Sequence, residues 1–180
     1  FPAATIQYKL NDDPILKYYE IHQDEEGNQI KKFYDVVGNL IKEIKYKDDS
    51  TQYITQYYYD DLYRLDSVVS PGGKTTSYQY DDLGNISQRF TPDDGITKYK
   101  YDKYGNLRFS YNTGSTPDYR GIVFIKYDLL NRLVAKGSLL SSYGFDGLDP
   151  DNSSYSFYSN EPDLLTVNMY DTYAETGPFS

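Results

Sequence analysis

Apolar and polar residues alternate along most of this chain. In Thr97-Lys98-Tyr99-Lys100-Tyr101, Thr97, Tyr99 and Tyr101 point one way and the two lysines the other. In Leu107-Arg108-Phe109-Ser110-Tyr111, the apolar side reads as Leu107, Phe109 and Tyr111. Tyr78 and Tyr80 share a face, as do Leu40, Ile44 and Tyr46. A period of two is the mark of a half-buried strand, and no stretch carries the helical period of about 3.6 residues. Clusters of Pro, Asp, Asn and Gly break the alternation about every ten residues. Pro presets φ, Gly supplies positive φ and Asp bonds its own backbone, so these clusters mark turns. The pattern predicts a meander of antiparallel hairpins, with about eleven strands up to Lys136.

Every second turn repeats a motif: aromatic, Asp, two variable residues, a turn residue, Asn or Arg, then Leu or Ile. It appears as Tyr34-Asp35-Val36-Val37-Gly38-Asn39-Leu40 and Tyr59-Asp60-Asp61-Leu62-Tyr63-Arg64-Leu65. It returns as Tyr80-Asp81-Asp82-Leu83-Gly84-Asn85-Ile86, Tyr101-Asp102-Lys103-Tyr104-Gly105-Asn106-Leu107 and Tyr127-Asp128-Leu129-Leu130-Asn131-Arg132-Leu133. The Asp residues are spaced by 25, 21, 21 and 26. Tyr170-Asp171-Thr172-Tyr173 follows about two periods later. The turn residue wants left-handed geometry, which suits Gly38, Gly84, Gly105 and Asn131 but not Tyr63. The Asp is suited to accept backbone N–H bonds across the turn. Looser turns lie between the motifs, among them Asp24-Glu25-Glu26-Gly27-Asn28, Lys47-Asp48-Asp49-Ser50 and Ser70-Pro71-Gly72-Gly73.

Composition narrows the function. Of 180 residues, 23 are Tyr and 8 Phe, with no Trp and no Cys. Tyrosine brings a large ring with a polar tip, which suits a broad half-buried sheet better than an oily centre. Zero Cys removes disulfides, thiolate zinc sites and thiol catalysis. A net charge of −9 makes nucleic acid a poor partner. No apolar run is long enough to span a membrane as a helix, and no signal peptide is visible. The chain starts without Met and reads as a piece of something longer. No Lys or Arg follows Lys136, and seven acids lie beyond it.

Candidate chemistry is sparse. His22, the single histidine, ends the alternating Tyr18-Tyr19-Glu20-Ile21-His22, where a structural role is expected. Asp146-Gly147-Leu148-Asp149-Pro150-Asp151-Asn152-Ser153 collects oxygen ligands of the kind calcium takes. Counted from Asp149, however, the sixth residue is Ser154 rather than Gly and the twelfth is Asn160 rather than Glu. A solvated acidic loop is the expectation there. Asn11-Asp12-Asp13 and Asp48-Asp49 read as ordinary turns. Adjacent acids such as Asp60-Asp61 diverge on a turn, so no pair is singled out for glycoside hydrolysis. Tyr57, Tyr59, Tyr78, Tyr80, Tyr99 and Tyr101 recur once per repeat and are expected to pack as a ladder rather than to stack sugars. No catalytic, cofactor or metal site is assigned.

The motif copies resemble the YD repeat of the RHS family of bacterial proteins, most closely at Tyr80–Ile86 and Tyr101–Leu107. The match covers residues 24–136. Phe124–Gly137 resembles the family repeat that precedes an insertion, and Leu164–Tyr173 the strand after it. The resemblance implies an all-β fold: an antiparallel hairpin meander curved as a strip of an RHS-type β-shell. It implies three regions: a repeat sheet over 1–137, an acidic insertion over 138–163 and a further repeat from 164 to 180. RHS proteins wind such strips into hollow shells that enclose a toxin in some branches and sit at the cell surface in others. The expected role is therefore non-enzymatic: a structural segment of a large secreted or surface protein. Its partners would be the remaining repeats, with an enclosed effector domain or secretion machinery beyond them. A glycan-binding, adhesin-like surface or a captured secretion substrate are the alternatives. The family's cleavage sequence is not matched, since Asp149-Pro150-Asp151-Asn152-Ser153 keeps only its Asp-Pro.

Overall fold

A computed structural model describes residues 5–10, 16–47, 51–114, 121–139, 144–152 and 164–167. Asn11-Asp12-Asp13, Asp48-Asp49, Asn160 and the Tyr170-Asp171 copy lie outside these residues, as do 140–143 and 153–163 of the insertion. The chain divides into two units, Phe1–Tyr78 and Gln79–Ser180.

The first unit runs through β1 (Thr5–Leu10), β2 (Leu16–Gln23), β3 (Gln29–Asp35), β4 (Leu40–Tyr46), β5 (Gln52–Tyr59) and β6 (Leu65–Val69) into β7 (Thr75–Tyr80). The second holds β8 (Ile86–Thr91), β9 (Gly95–Tyr101), β10 (Leu107–Asn112), β11 (Ile122–Tyr127), β12 (Leu133–Leu139) and β13 (Leu164–Val167). Within each unit, strands pair antiparallel with their neighbours in sequence. The fold is all-β, and no helix occurs among the described residues. Twelve strands begin before Lys136. β13 pairs with β12, Ala135 opposite Val167.

The simple alternation fails beside the motif turns. Tyr34 pairs with Leu40 but Phe33 pairs with Lys42, which leaves Ile41 extra. Asp66, Arg108 and Val134 are extra in the same way, each one residue past the motif Leu. Such a bulge shifts the phase of every side chain after it. Leu40 therefore lies on the face of Tyr34, opposite to Ile44 and Tyr46. Leu107 joins Tyr101, while Phe109 and Tyr111 join Lys100 and Lys98. The faces read from Leu40-Ile44-Tyr46 and Leu107-Phe109-Tyr111 are corrected on this ground: a pure period of two cannot see an inserted residue.

Each unit thus has a tyrosine face and an opposite face. In the first unit the opposite face carries Tyr19 stacked on Phe33 at 5.4 Å, with Lys42 over the Phe33 ring and Lys31 over Tyr46. Ile44, 7% exposed, is the one buried hydrophobic side chain among that unit's described residues. The second unit has a true core. Phe109, Ile122 and Phe124 are fully buried, with Ala135, Phe145 and Leu148 packed on them. Gly137 sits directly opposite Phe124.

The turn residue is the one strained position. Gly84 has φ of 86°, and Tyr63 takes the same left-handed region at φ 60°. The exposed Tyr63 ring touches little that would offset the strain. Tyr63→Gly is expected to stabilise the first unit by about 1 kcal/mol, and Gly84→Ala to destabilise the second by about as much. Urea unfolding of the two variants checks both signs.

Candidate functional site

The motif Asp is a backbone clamp. The Asp35 N–H donates to Asn39 O at 3.0 Å, and the Gly38 N–H donates to Asp35 O at 3.2 Å. The Asp35 carboxylate then closes the loop from inside. Its Oδ1 accepts from the Val37 and Asn39 N–H groups at 3.0 and 2.8 Å, and its Oδ2 from Asn39 Nδ2 at 3.0 Å. Asp60, Asp81, Asp102 and Asp128 repeat the arrangement. Where Arg replaces Asn, its Nε takes the amide's place: Arg64 to Asp60 at 2.8 Å and Arg132 to Asp128 at 2.7 Å. This accounts for the Asn-or-Arg position. The two residues after the Asp point outward, with Leu62, Leu83, Tyr104 and Leu129 exposed, which accounts for their variability.

One of the looser turns is a clamp of the same kind. Asp24 accepts from the Glu26 and Asn28 N–H groups at 2.9 and 2.8 Å and from Asn28 Nδ2 at 2.8 Å. It lies between β2 and β3, at the opposite edge of the first unit from Asp35 and Asp60. Gln23 stands where the motif has an aromatic, so the aromatic-Asp pair is absent. The signal that finds it is Asp-x-x-Gly-Asn alone.

Hydrogen bonding wins over burial at Asp35, Asp60, Asp81 and Asp128. At Asp60 and Asp128, N–H donation from Arg64 and Arg132 leads, and the carboxyl sits below its usual range. At Asp35 and Asp81 burial pushes the carboxyl up, but the bonds from Asn39 and Asn85 outweigh it.

One motif tyrosine, Tyr59, ties its repeat to the one before. The Tyr59 hydroxyl donates to Leu40 O at 2.9 Å, a carbonyl of the preceding motif. Burial first, then negative neighbours, push the Tyr59, Tyr101 and Tyr127 phenols up. Those neighbours include the preceding clamps Asp35, Asp81 and Asp102. Tyr57 on β5, Tyr78 and Tyr80 on β7 and Tyr99 on β9 are half-buried. In the second unit the turns also touch, with Asn106 Nδ2 to Asn131 Oδ1 at 3.3 Å.

His22 belongs to a different group. Its Nε2 lies 2.8 Å from Glu20 Oε2, which also accepts from the Tyr34 hydroxyl at 3.1 Å. Tyr18 stacks on Tyr34 at 4.8 Å. Burial and Glu20 push the Tyr34 phenol up to about 12, so the phenolate a tyrosine nucleophile needs is disfavoured.

The segment 144–152 is not a solvated loop. It lies over β9 and β10, with Phe145 and Leu148 only 5% and 2% exposed. Phe145 stacks on Tyr111 at 5.8 Å. Lys100 Nζ donates to Asp146 O at 2.8 Å and Leu148 O at 2.6 Å, and Arg108 Nη1 to Pro150 O at 2.8 Å. The Lys103 N–H donates to Asp151 Oδ1 at 2.8 Å, and Lys98 pairs with Asp146 at 3.2 Å. The acid-rich composition suggested solvation; the two apolar anchors between the acids decide otherwise. Burying each is worth about 2 kcal/mol, against well under 1 kcal/mol for the exposed ion pair. No grouping of three or more metal-ligating side chains occurs among the described residues.

Three solved Tc toxin structures share this fold. The TcdB2–TccC3–Cdc42 crystal structure superimposes with a TM-score of 0.54 at 18% identity, over 71% of this chain and 7% of that one. The TcdB2–TccC3–TEV structure gives 0.51 at 17%, over 77% and 9%. The Photorhabdus luminescens Tc holotoxin pore gives 0.51 at 18%, over 69% and 7%. The likeness is one of fold. This chain spans less than a tenth of each chain it matches. No protein-family model and no curated protein matches it.

The clamps make stability acid-sensitive. A carboxyl held low in the fold stabilises it above the ordinary carboxyl range and stops doing so as pH falls through the depressed value. The melting midpoint should hold near neutral pH and drop below about pH 4. Asp102→Ala, which strands two buried-side N–H groups, should cost the second unit about 3 kcal/mol in urea unfolding.

Proposed function

We propose that the chain is a non-enzymatic structural segment of a larger secreted or cell-surface RHS-repeat protein. It contributes strands to a β-shell that encloses or displays a toxin or another domain. The observation that carries this reading is the Asp clamp repeated at Asp35, Asp60, Asp81, Asp102 and Asp128, with Tyr59 bonded back to the preceding motif. That arrangement extends by adding further copies, and it supports a part rather than a complete machine. The fold likeness to Tc toxin chains, of which this chain spans 7–9%, supports the same reading. On this proposal the repeat sheet runs to Gly137, residues 138–163 are an insertion, and a further repeat begins at 164. The remaining repeats of the same polypeptide are the immediate partners, with an enclosed effector domain or secretion machinery beyond.

A non-enzymatic role fits what the polar side chains do. The motif carboxylates are occupied by backbone N–H groups, and His22 and Tyr34 both engage Glu20. Electron microscopy of the full-length polypeptide tests the proposal, combined with limited proteolysis. A hollow particle with a protease-protected interior segment is the expected result. An extended or solid particle with no enclosed volume would overturn it.

A further inference from the structure

Strand pairing does not explain where residues 144–152 lie. Among the described residues they make no ladder with the sheet. They hold their own shape: the Leu148 N–H donates to Phe145 O at 3.2 Å and the Asn152 N–H to Asp149 O at 3.3 Å. The sheet grips this strap through side chains. Lys100 and Arg108 supply three bonds, and all three end on main-chain carbonyls, which any residue at those positions would offer. Selectivity is left to Phe145, Leu148, the Asp151 carboxylate that accepts from the Lys103 N–H, and the charge. Main-chain bonds for affinity and side-chain pockets for specificity are the division of labour of a peptide-binding surface.

The charge is complementary. The strap holds Asp146, Asp149 and Asp151 and no base, and Lys98, Lys100 and Arg108 lie against it. A lid needed only to seal Phe109, Ile122 and Phe124 would do so at lower cost over apolar residues, because covering an ammonium costs solvation. Lys100 shows that cost: burial holds its ammonium below its usual range, although Asp146 and Asp149 act the other way.

We propose that this face of β9 and β10 is a docking site for an acidic peptide segment carrying Phe and Leu three residues apart. Residues 144–152 are its built-in occupant, exchangeable for a segment of the same chemistry on a partner protein. The inference goes beyond the shell reading and stands without it.

The test uses a fluorescent synthetic peptide of the sequence of residues 144–152 and the full chain. In the strap variant Phe145→Ser with Leu148→Ser, the face is vacated and the peptide should bind. The wild-type chain should bind it at least about tenfold more weakly, because its own strap competes at high effective concentration. Adding Lys100→Met to the strap variant should weaken binding about tenfold, and raising salt should weaken it further. Equal binding by the wild type, equal binding of a scrambled peptide, or no binding to a folded strap variant would overturn the proposal. If the strap variant does not fold, hydrogen exchange of the wild type decides. Excess peptide should speed exchange at the Leu148 and Asn152 amides, and no change there refutes exchangeability.

Discussion

A carboxylate that faces its own backbone holds this protein together. Each motif Asp gathers two N–H groups and one side-chain donor into a loop of five residues, and each such loop fixes a hairpin. An N–H to carboxylate bond is about twice as strong as its neutral equivalent. That matters where a sheet has little apolar core to fall back on. The two units show the range. The first has a single buried hydrophobic side chain among its described residues, Ile44, and otherwise relies on stacked rings, cations over rings and clamped turns. The second adds a packed centre under the strap.

The tyrosines have two duties. Their rings cover the sheet, and a hydroxyl can bond the neighbouring strand, as Tyr59 does at Leu40 O and Tyr34 at Glu20. A phenylalanine would cover equally well and bond nothing. The raised phenol of Tyr34 and its bond to Glu20 follow the same rule of a ring that packs and a tip that must be satisfied. The abundance of tyrosine thus follows from a sheet too thin to bury plain aromatics on both faces.

The strands, their antiparallel order and the positions of the turns were legible in the sequence. Alternation and turn chemistry are local, and the fold is a chain of local hairpins. The bulges were not legible: Ile41 and Arg108 look like any strand residue, and only pairing reveals them as extra. Asp24 was legible as a turn but not as a copy of the clamp, because the aromatic partner is absent. Tyr63 was visible as an exception, and its positive φ shows that the clamp imposes the geometry on an unsuited residue. The strap was hidden for a different reason. Its contacts with Lys98 and Lys100 span 46 to 48 residues, and composition reports charge without reporting what lies against it.

The bulge after the motif turns at Asp35, Asp60, Asp102 and Asp128 gives the sheet a form of error containment. In a long meander of uniform strands, a slip of one residue would pass from hairpin to hairpin and turn every side chain to the wrong face. Here these four clamps set the register afresh, and the extra residue beside each absorbs a local mismatch. A mistake made in one hairpin ends at the next Asp.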